Sequence, residues 1–241
     1  MEIIFGRRPV LECLRAQRRK ITKLYYQENL REGENQELLA LAKDKKVPLQ
    51  SVKRQWLDDK SQNAHHQGFL AEVSSYLFLP WEETFNTIQT KEQGLWVAFD
   101  EIQDPQNVGS LIRSAVCLGV EGVFILKHRS CGITPAVVRA SSGATEHASV
   151  IQVTNLVSTL QALQDIGVVV FGLDASGADE IHMLKFPAKS LLVLGAEGKG
   201  LRRLTKEHCD KLVRIPQVSS VASLNVGVAG AIAMFSAQYH R

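Results

Sequence analysis

Residues 191–201, LLVLGAEGKGL, decide the fold class of this chain. Four apolar residues in a row predict a strand that is buried on both faces, which is typical of a parallel sheet covered by helices. Glycines at positions 195, 198 and 200 follow and allow a tight turn after the strand. Ligands of such sheets bind beyond the carboxyl ends of the strands, so the stretch predicts both an α/β fold and a binding site.

Further strands and helices alternate on both sides of this stretch. The apolar runs LWVAF (95–99), GVFIL (122–126) and GVVVFGLD (167–174) predict more strands of the same sheet, with helical patterns between them. The first 76 residues predict a small α/β unit. Pro80 and the polar residues around it indicate a linker with one amphipathic turn. The predicted domains are therefore 1–76 and 94–241, joined by a linker over 77–93.

Composition excludes several classes of protein. The chain has 241 residues, of which 45% are hydrophobic and 22% charged, as in folded globular proteins. It has no run of 18 consecutive apolar residues, so we predict no membrane span. Charges near the N-terminus argue against a signal peptide, and we expect a cytoplasmic location. Its four cysteines lie far apart without a C-x-x-C pair, so we expect no metal site.

Positive charge is concentrated near the N-terminus. The net charge is only +3, but Arg7, Arg8, Arg18 and Arg19 all lie within the first 25 residues. Such a cluster can attract the phosphates of a nucleic acid. Charge alone favours a solvated helix face over a binding site.

A second informative segment is DEIQDPQNVGSLIRSA, residues 100–115. The strand before it ends at Phe99, and we expect Asn107 to be the N-cap of the next helix. Arg113 lies six residues further along that helix. An arginine at this edge of a parallel sheet can bind an RNA phosphate through its planar fork of donors.

A third segment, RIPQVSSVASLNVGVAGAIAMF, covers residues 214–235. We expect Ser223 to cap the last helix, with Asn225 in its first turn. That helix is apolar nearly all round, which predicts burial in the core or at a subunit interface. Gly227 and Gly230 would allow close packing. The earlier glycine spacing, G-x-x-G-x-G, differs from the dinucleotide pattern G-x-G-x-x-G and argues against a nicotinamide oxidoreductase.

The three segments, in this order, resemble the SpoU/TrmH family of RNA 2′-O-methyltransferases in the SPOUT superfamily. The family's motifs N-x-G-x-x-x-R-S-A and L-G-x-E-x-x-G appear at 107–115 and 194–200. The third, I-P followed by S-L-N-V-x-V-A, appears at 215–216 and 223–229. Gly227 stands where the family often has Ser. The stretches GRRPVLECL (6–14) and HHQGFLAEV (65–73) are similar to the RNA-binding domain of the subgroup that methylates a guanosine in 23S ribosomal RNA.

This resemblance implies the fold, the cofactor and the roles of residues. It implies a C-terminal parallel-sheet SPOUT domain with a trefoil knot, preceded by a small α/β RNA-binding domain, and a homodimer packed through the C-terminal helices. The cofactor would be S-adenosylmethionine, held around Leu194, Gly195, Gly200, Ile215 and Leu224. The catalytic residues would be Arg113, Glu197, Ser223 and Asn225. The RNA-binding residues would be Arg7, Arg8, Arg18, Arg19 and Asn107.

The resulting hypothesis is ribose 2′-O-methylation of a guanosine in 23S ribosomal RNA, either as free RNA or in a large-subunit assembly particle. Two alternatives remain open at this point. One is a tRNA ribose 2′-O-methyltransferase, and the other is a non-catalytic protein that binds ribosomal RNA or assists its assembly.

Overall fold

The structure is a computed structural model that describes residues 1–30, 35–218 and 224–240. It divides the chain into two compact units. The first unit contains Met1–Leu77 and Ile133–His147, and the second contains Phe78–Gly132 and Ala148–Arg241. The predicted α/β class is confirmed, whereas the trefoil knot and the domain bounds stay predictions. Residues 133–147 belong to the predicted C-terminal domain, but the structure groups them with the N-terminal residues.

The helices and strands follow the alternation predicted from the sequence. In chain order, the strands are β1 (Glu2–Phe5), β2 (Ile21–Gln27), β3 (Leu49–Val52), β4 (Phe69–Val73), β5 (Gly94–Asp100), β6 (Gly122–Leu126), β7 (Val150–Val153), β8 (Val169–Leu173), β9 (Asp179–Glu180), β10 (Lys189–Gly195) and β11 (Lys211–Arg214). The helices are α1 (Arg7–Ala16), α2 (Gln36–Asp44), α3 (Arg54–Lys60), α4 (Trp81–Thr90), α5 (Pro105–Cys117), α6 (Pro135–Ala140), α7 (Leu156–Asp165), α8 (Arg203–Glu207) and α9 (Val226–Tyr239).

Among the residues that the structure describes, each unit contains one sheet. The first unit has the strand order β1-β4-β2-β3, in which only the β2–β3 pair is parallel. The second unit has the order β7-β6-β5-β10-β8-β11-β9, and its strands are paired in parallel, as predicted. The LLVLG strand, β10, lies between β5 and β8, with Gly195 opposite Asp100 and Leu194 opposite Leu173. The carboxyl ends of these three strands therefore lie side by side.

The predicted linker contains a helix rather than a single amphipathic turn. Helix α4 has ten residues and begins directly after Pro80. Its Trp81, Phe85 and Ile88 pack on the core of the second unit. Their spacing of four and three residues places them on one helical face, so the signal was present in the sequence.

Helix α9 approaches α5 and β10 closely at Gly230. A Cβ at this position would lie 2.2 Å from Leu111 Cδ2 and 2.8 Å from Leu194 Cδ1. The close packing predicted from the glycine is therefore confirmed here. The opposite side of the helix is solvent-exposed, with apolar side chains at Val228, Ile232, Phe235 and Tyr239.

A buried ion pair holds the two parts of the first unit together. Arg19 Nη2 lies 2.6 Å from Glu146 Oε1, and both side chains are 1% exposed. Arg19 Nε also donates to Glu146 Oε2, and Nη1 pairs with Glu2. The prediction that Arg19 binds RNA phosphates does not fit this position, because its guanidinium is buried and bound to two carboxylates.

Within the described residues, no helix is both long and apolar enough to span a membrane. The same residues contain no group of three or more His, Cys, Asp or Glu side chains placed to hold a metal ion. The four cysteines are free thiols. Burial raises the pKa of Cys13 to about 12, so this thiol stays protonated at neutral pH.

Replacing Arg19 with Met should destabilise the protein. The variant leaves the Glu146 carboxylate buried without its cation, and breaking such a pair costs about 3–5 kcal/mol. We expect a loss of this size in the free energy of unfolding, measured by urea denaturation followed by circular dichroism.

The matched control is Arg15→Met. Arg15 pairs with Glu12 and Glu37 where all three side chains remain accessible to solvent. Exposed ion pairs contribute little to stability, so the free energy of unfolding of this variant should be close to that of the wild type. Equal losses for the two variants would show that burial of the Arg19 pair is not what stabilises the unit.

Candidate active site

A cavity of about 400 Å³ opens at the carboxyl edge of the parallel sheet in the second unit. Its size lies within the range of small-molecule sites, roughly 300–1,000 Å³. Its lining includes all five residues predicted to bind a cofactor, namely Leu194, Gly195, Gly200, Ile215 and Leu224. Sequence reasoning missed four further residues that line the cavity: Leu173 at the end of β8, Asp174 directly after it, and Val226 and Ala229 on α9.

The glycines after β10 form a closed turn that shapes one wall of the cavity. A Cβ on Gly195 would lie 2.2 Å from the carbonyl carbon of Gly200, so only glycine fits there without a shift of the backbone. The Gly200 N–H donates to the carbonyl oxygen of Ala196 at 2.8 Å and closes the turn. Gly198 and Gly200 have φ values of +76° and +66°, which side chains with a Cβ rarely adopt. The G-x-x-G-x-G spacing is therefore explained by this turn.

Asp174 places a carboxylate, paired with Lys206, at the cavity. Its Oδ1 accepts hydrogen bonds from the backbone N–H and the hydroxyl of Ser176, and its Oδ2 lies 2.6 Å from Lys206 Nζ. Burial alone would raise the pKa of Asp174, but the hydrogen bonds from Lys206 and Ser176 outweigh it and lower the pKa. The carboxylate is therefore ionised at neutral pH. Its place directly after an apolar strand was the signal that could have found it.

The Asn107 side chain joins the three sequence segments. Its Nδ2 donates to Glu197 Oε2 at 2.9 Å, and its Oδ1 accepts a hydrogen bond from Asn225 Nδ2 at 2.8 Å. Asn107 is buried, whereas Glu197 lies at the cavity. The structure thus brings two predicted catalytic residues, Glu197 and Asn225, to the two ends of one amide. The predicted RNA contact by Asn107 does not fit this position, because its amide is buried and bonded on both sides.

Both helix caps differ from those predicted. Helix α5 is capped by Asp104, whose Oδ1 accepts from the Gln106 N–H at 3.0 Å, and Pro105 takes the first helical position. Proline is favoured there because its missing N–H would be unpaired anyway. Helix α9 is capped by Asn225, whose Oδ1 accepts from the Gly227 and Val228 N–H groups. Ser223, the predicted cap and catalytic residue, lies outside the described residues.

The predicted arginines lie in different places. Arg113 is exposed on α5 and is not among the described residues that line the cavity. Arg7 and Arg8 line a separate cavity of the first unit. Arg18 borders a groove of the same unit together with Arg19 and three lysines.

Comparison with known proteins assigns the chain to a family. Residues 94–235 match the SpoU rRNA Methylase family, and residues 3–79 match the family described as RNA 2′-O ribose methyltransferase substrate binding. The chain belongs to the SpoU rRNA methylase family. The enzyme class predicted from the sequence, an RNA methyltransferase, is thereby confirmed, as is S-adenosylmethionine as the cofactor of the family.

Relatives of this SpoU methylase span nearly its whole length. A Bacillus subtilis protein, YacO, named among TrmH family tRNA/rRNA methyltransferases, is 37% identical over 235 residues, which are 97% of this chain and 94% of the relative. The solved structure of AviRb from Streptomyces viridochromogenes in complex with AdoMet aligns with a TM-score of 0.80 at 24% identity and covers 98% of this chain and 88% of that one. An AdoMet-bound rRNA methyltransferase from Sinorhizobium meliloti also gives 0.80, at 22% identity, and covers 99% and 87%. These structures support the fold.

Replacing Asn225 with Ala should cost more stability than the loss of an ordinary helix cap. The change removes the cap of α9, which typically contributes about 1 kcal/mol. It also leaves the buried Asn107 oxygen without its donor, which costs about 1–3 kcal/mol more. We expect the sum, about 2–4 kcal/mol, in the free energy of unfolding measured by urea denaturation.

Asn155→Ala is the matched control, because Asn155 caps α7 through the Ser158 N–H. This variant should lose only the cap contribution, about 1 kcal/mol. If the two variants lose the same free energy, the bond between Asn225 and Asn107 does not stabilise the protein.

Proposed function

We propose that this SpoU methylase transfers a methyl group from S-adenosylmethionine to the ribose 2′ oxygen of a guanosine in 23S ribosomal RNA. The observation that carries the proposal is the cavity at the sheet edge, since every residue predicted from the motifs to contact the cofactor lines it. The choice of guanosine and of 23S ribosomal RNA rests on the resemblance of the sequence motifs alone.

The residues around the cavity fit the cofactor chemically. Ile215 and Leu224 offer apolar surface for an adenine ring, and the backbone of the glycine turn offers polar groups for its edge. The Asp174 carboxylate can accept hydrogen bonds from ribose hydroxyls or an amino group. When bound, S-adenosylmethionine supplies an electrophilic methyl group on a positively charged sulfur.

Arg113 is proposed as the catalytic residue. The attacking 2′ hydroxyl must lose its proton, and we propose that the proton passes to water, because a guanidinium keeps its own proton up to a pH of about 12 and cannot act as the base. Arg113 instead binds a phosphate beside the reacting ribose and stabilises the negative charge that develops on the 2′ oxygen. Ser223 is proposed to hydrogen-bond the ribose or Arg113.

Glu197 and Asn225 are proposed to act by holding neighbouring elements in position. Because both are bonded to Asn107, they fix the glycine turn and the start of α9 on either side of the amide. A preorganised wall is useful here, since holding donor and acceptor in line contributes to the rate of transfer.

The first unit is proposed to supply RNA affinity in the cytoplasm, on free RNA or on a large-subunit assembly particle. Its match to a substrate-binding family supports this role. Arg7, Arg8 and Arg18 remain the candidates for phosphate contacts. A tRNA ribose is the alternative acceptor, because relatives are named as tRNA/rRNA methyltransferases. The cavity and the intact amide network weigh against a non-catalytic RNA-binding protein.

The deciding experiment incubates the purified protein with labelled S-adenosylmethionine and either unmodified 23S ribosomal RNA or unmodified tRNA, and then maps the methylated nucleotide. Label on one guanosine ribose of 23S ribosomal RNA supports the proposal. Label on tRNA alone keeps the reaction and changes the acceptor. No label on any RNA, including assembly intermediates, would overturn the proposed reaction.

Arg113→Ala should separate cofactor binding from turnover. We expect a drop of about 10²–10³-fold in the single-turnover rate of methyl transfer, as for other donors that stabilise developing negative charge. The affinity for S-adenosylmethionine, measured by calorimetry, should not change.

The control for this variant is Arg203→Ala. Arg203 is exposed on α8 and paired with Glu207, so this variant should keep the wild-type rate. Loss of cofactor affinity in Arg113→Ala would place Arg113 in the cofactor site and contradict its role at the acceptor.

We also propose a homodimer through the exposed side of α9. Val228, Ile232, Phe235 and Tyr239 follow one another at spacings of four, three and four residues and form one apolar stripe. No charged residue occurs anywhere in α9. A second copy of the chain can bury this stripe against its own, because a two-fold axis brings the same surface of both subunits together.

Phe235→Glu should convert the dimer to a monomer. A two-fold axis would place the new carboxylates of both subunits in the interface, and both would have to be desolvated. Light scattering coupled to size-exclusion chromatography measures the mass, with Leu204→Glu on α8 as the control at another exposed apolar position. A wild-type protein that is already monomeric, or a Phe235→Glu variant that stays dimeric, would rule out this interface.

A further inference from the structure

The first unit contains a cavity of about 950 Å³ with a strongly positive lining. Its lining includes Arg7, Arg8, Arg54 and Arg139, together with His65. Among the lining residues that the structure describes, none is acidic. Such a concentration of guanidinium groups around one concavity favours an anionic ligand.

Polar groups fix the wall of this cavity next to the start of α1. Gln67 has a left-handed φ of +51°, and its Oε1 accepts a hydrogen bond from the Arg7 N–H at 3.1 Å. The neighbouring His66 is buried, with one ring nitrogen 2.9 Å from Asp58 Oδ1 and the other accepting from the Gly68 N–H. His66 thereby holds the loop in place, while the adjacent His65 is exposed and lines the cavity.

Arg139 comes from a different part of the chain than the other cationic residues of the cavity. It belongs to α6, within residues 133–147, and these residues match the methylase family rather than the substrate-binding family. Several contacts hold this segment against α1. A Cβ on Gly143 would lie 2.8 Å from Glu12 Cβ and 3.0 Å from Pro9 Cα, so the backbones approach closely.

The last residues of segment 133–147 are also held by specific contacts. Tyr76 Oη donates to the carbonyl oxygen of Thr145 at 2.9 Å, and the Arg19–Glu146 ion pair is buried beside it. His147 Nε2 lies 2.8 Å from Glu12 Oε2. Arg139 is therefore carried to the cavity by a segment whose residues 143–147 are held against α1, Arg19 and Tyr76.

We propose that this cavity binds the phosphate backbone of an unpaired RNA segment, and that Arg139 completes the binding site. Four forked guanidinium groups suit phosphate oxygens, and the side-chain amides of Gln27, Asn29 and Gln67 can bond to the edges of unstacked bases. The cavity is a concave site of the size of a small-molecule pocket, which admits a few nucleotides of one strand but not a helix with both strands. The inference rests on the proposed RNA substrate and adds the site and the form of RNA that it takes.

The test compares full-length variants in their binding to labelled RNA. The probe is a fluorescein-labelled single strand of roughly 12 nucleotides of mixed sequence, and the same sequence as a duplex is the second probe. Fluorescence anisotropy at several salt concentrations gives the dissociation constant and its salt dependence. Arg139→Ala and Arg54→Ala should each weaken binding of the single strand about tenfold. Each should also reduce the slope of log K against log salt by about 0.7.

Lys43→Ala on α2 is the matched control, because Lys43 is exposed in the same unit but does not line the cavity. It should bind the single strand like the wild type. Arg139→Lys keeps the charge and loses the fork, so it should retain the salt slope and recover only part of the affinity. Wild-type affinity and slope in Arg139→Ala, or stronger binding of the duplex than of the single strand, would overturn the inference.

Methyl transfer measured on the same proteins separates this inference from the proposed function. If the wild type methylates RNA while Arg139→Ala binds the single strand normally, the inference fails and the proposed function stands. If the wild type transfers no methyl group while Arg139→Ala and Arg54→Ala still lose affinity, the proposed function fails and the binding site stands.

Discussion

The candidate active site depends on the side-chain amide of Asn107. This amide has a donor and an acceptor, and each is used by a different segment, 90 residues away at Glu197 and 118 residues away at Asn225. The uncharged amide satisfies both partners at once, whereas a carboxylate would lack the donor and an ammonium would lack the acceptor. Because the group is buried, losing either bond would leave a polar atom unpaired away from water. The glycine turn after β10 and the beginning of α9 are therefore set relative to α5 by one residue.

Two glycines allow close packing of the elements that this amide joins. The absence of a Cβ at Gly230 lets α9 approach Leu111 and Leu194, and the absence of a Cβ at Gly195 lets the turn close on Gly200. These two close contacts and one buried amide thus bring strand, turn and helix together at the cavity. Sites built on such fixed elements are held more accurately than sites on long loops.

Sequence alone located correctly the residues whose role follows from their immediate neighbours in the chain. Continuous apolar runs marked β5, β6, β8 and β10, because burial on both faces leaves a signal in each strand itself. The glycine spacing marked the turn, because the positive φ values and the close contact that require glycine all occur within six residues. Arg19 was misjudged, since an arginine near other arginines gives no local sign of a carboxylate 127 residues away. The cap of α5 was misplaced by three residues, because Asp104, Pro105 and Asn107 are all acceptable near a helix start, and the tertiary bonds of Asn107 decide among them.

The ion pair between Arg19 and Glu146 also affects how the protein can be made. A translating ribosome adds roughly 5–20 residues each second, so the 127 residues between the partners take about 6 to 25 s to appear. Once its four strands have been made, the nascent N-terminal unit has Glu2 as one partner of Arg19. It still lacks the buried Glu146 carboxylate and the segment that contacts α1. It therefore stays incomplete until more than half of the chain has been synthesised, and its maturation is tied to that of the methylase sequence downstream.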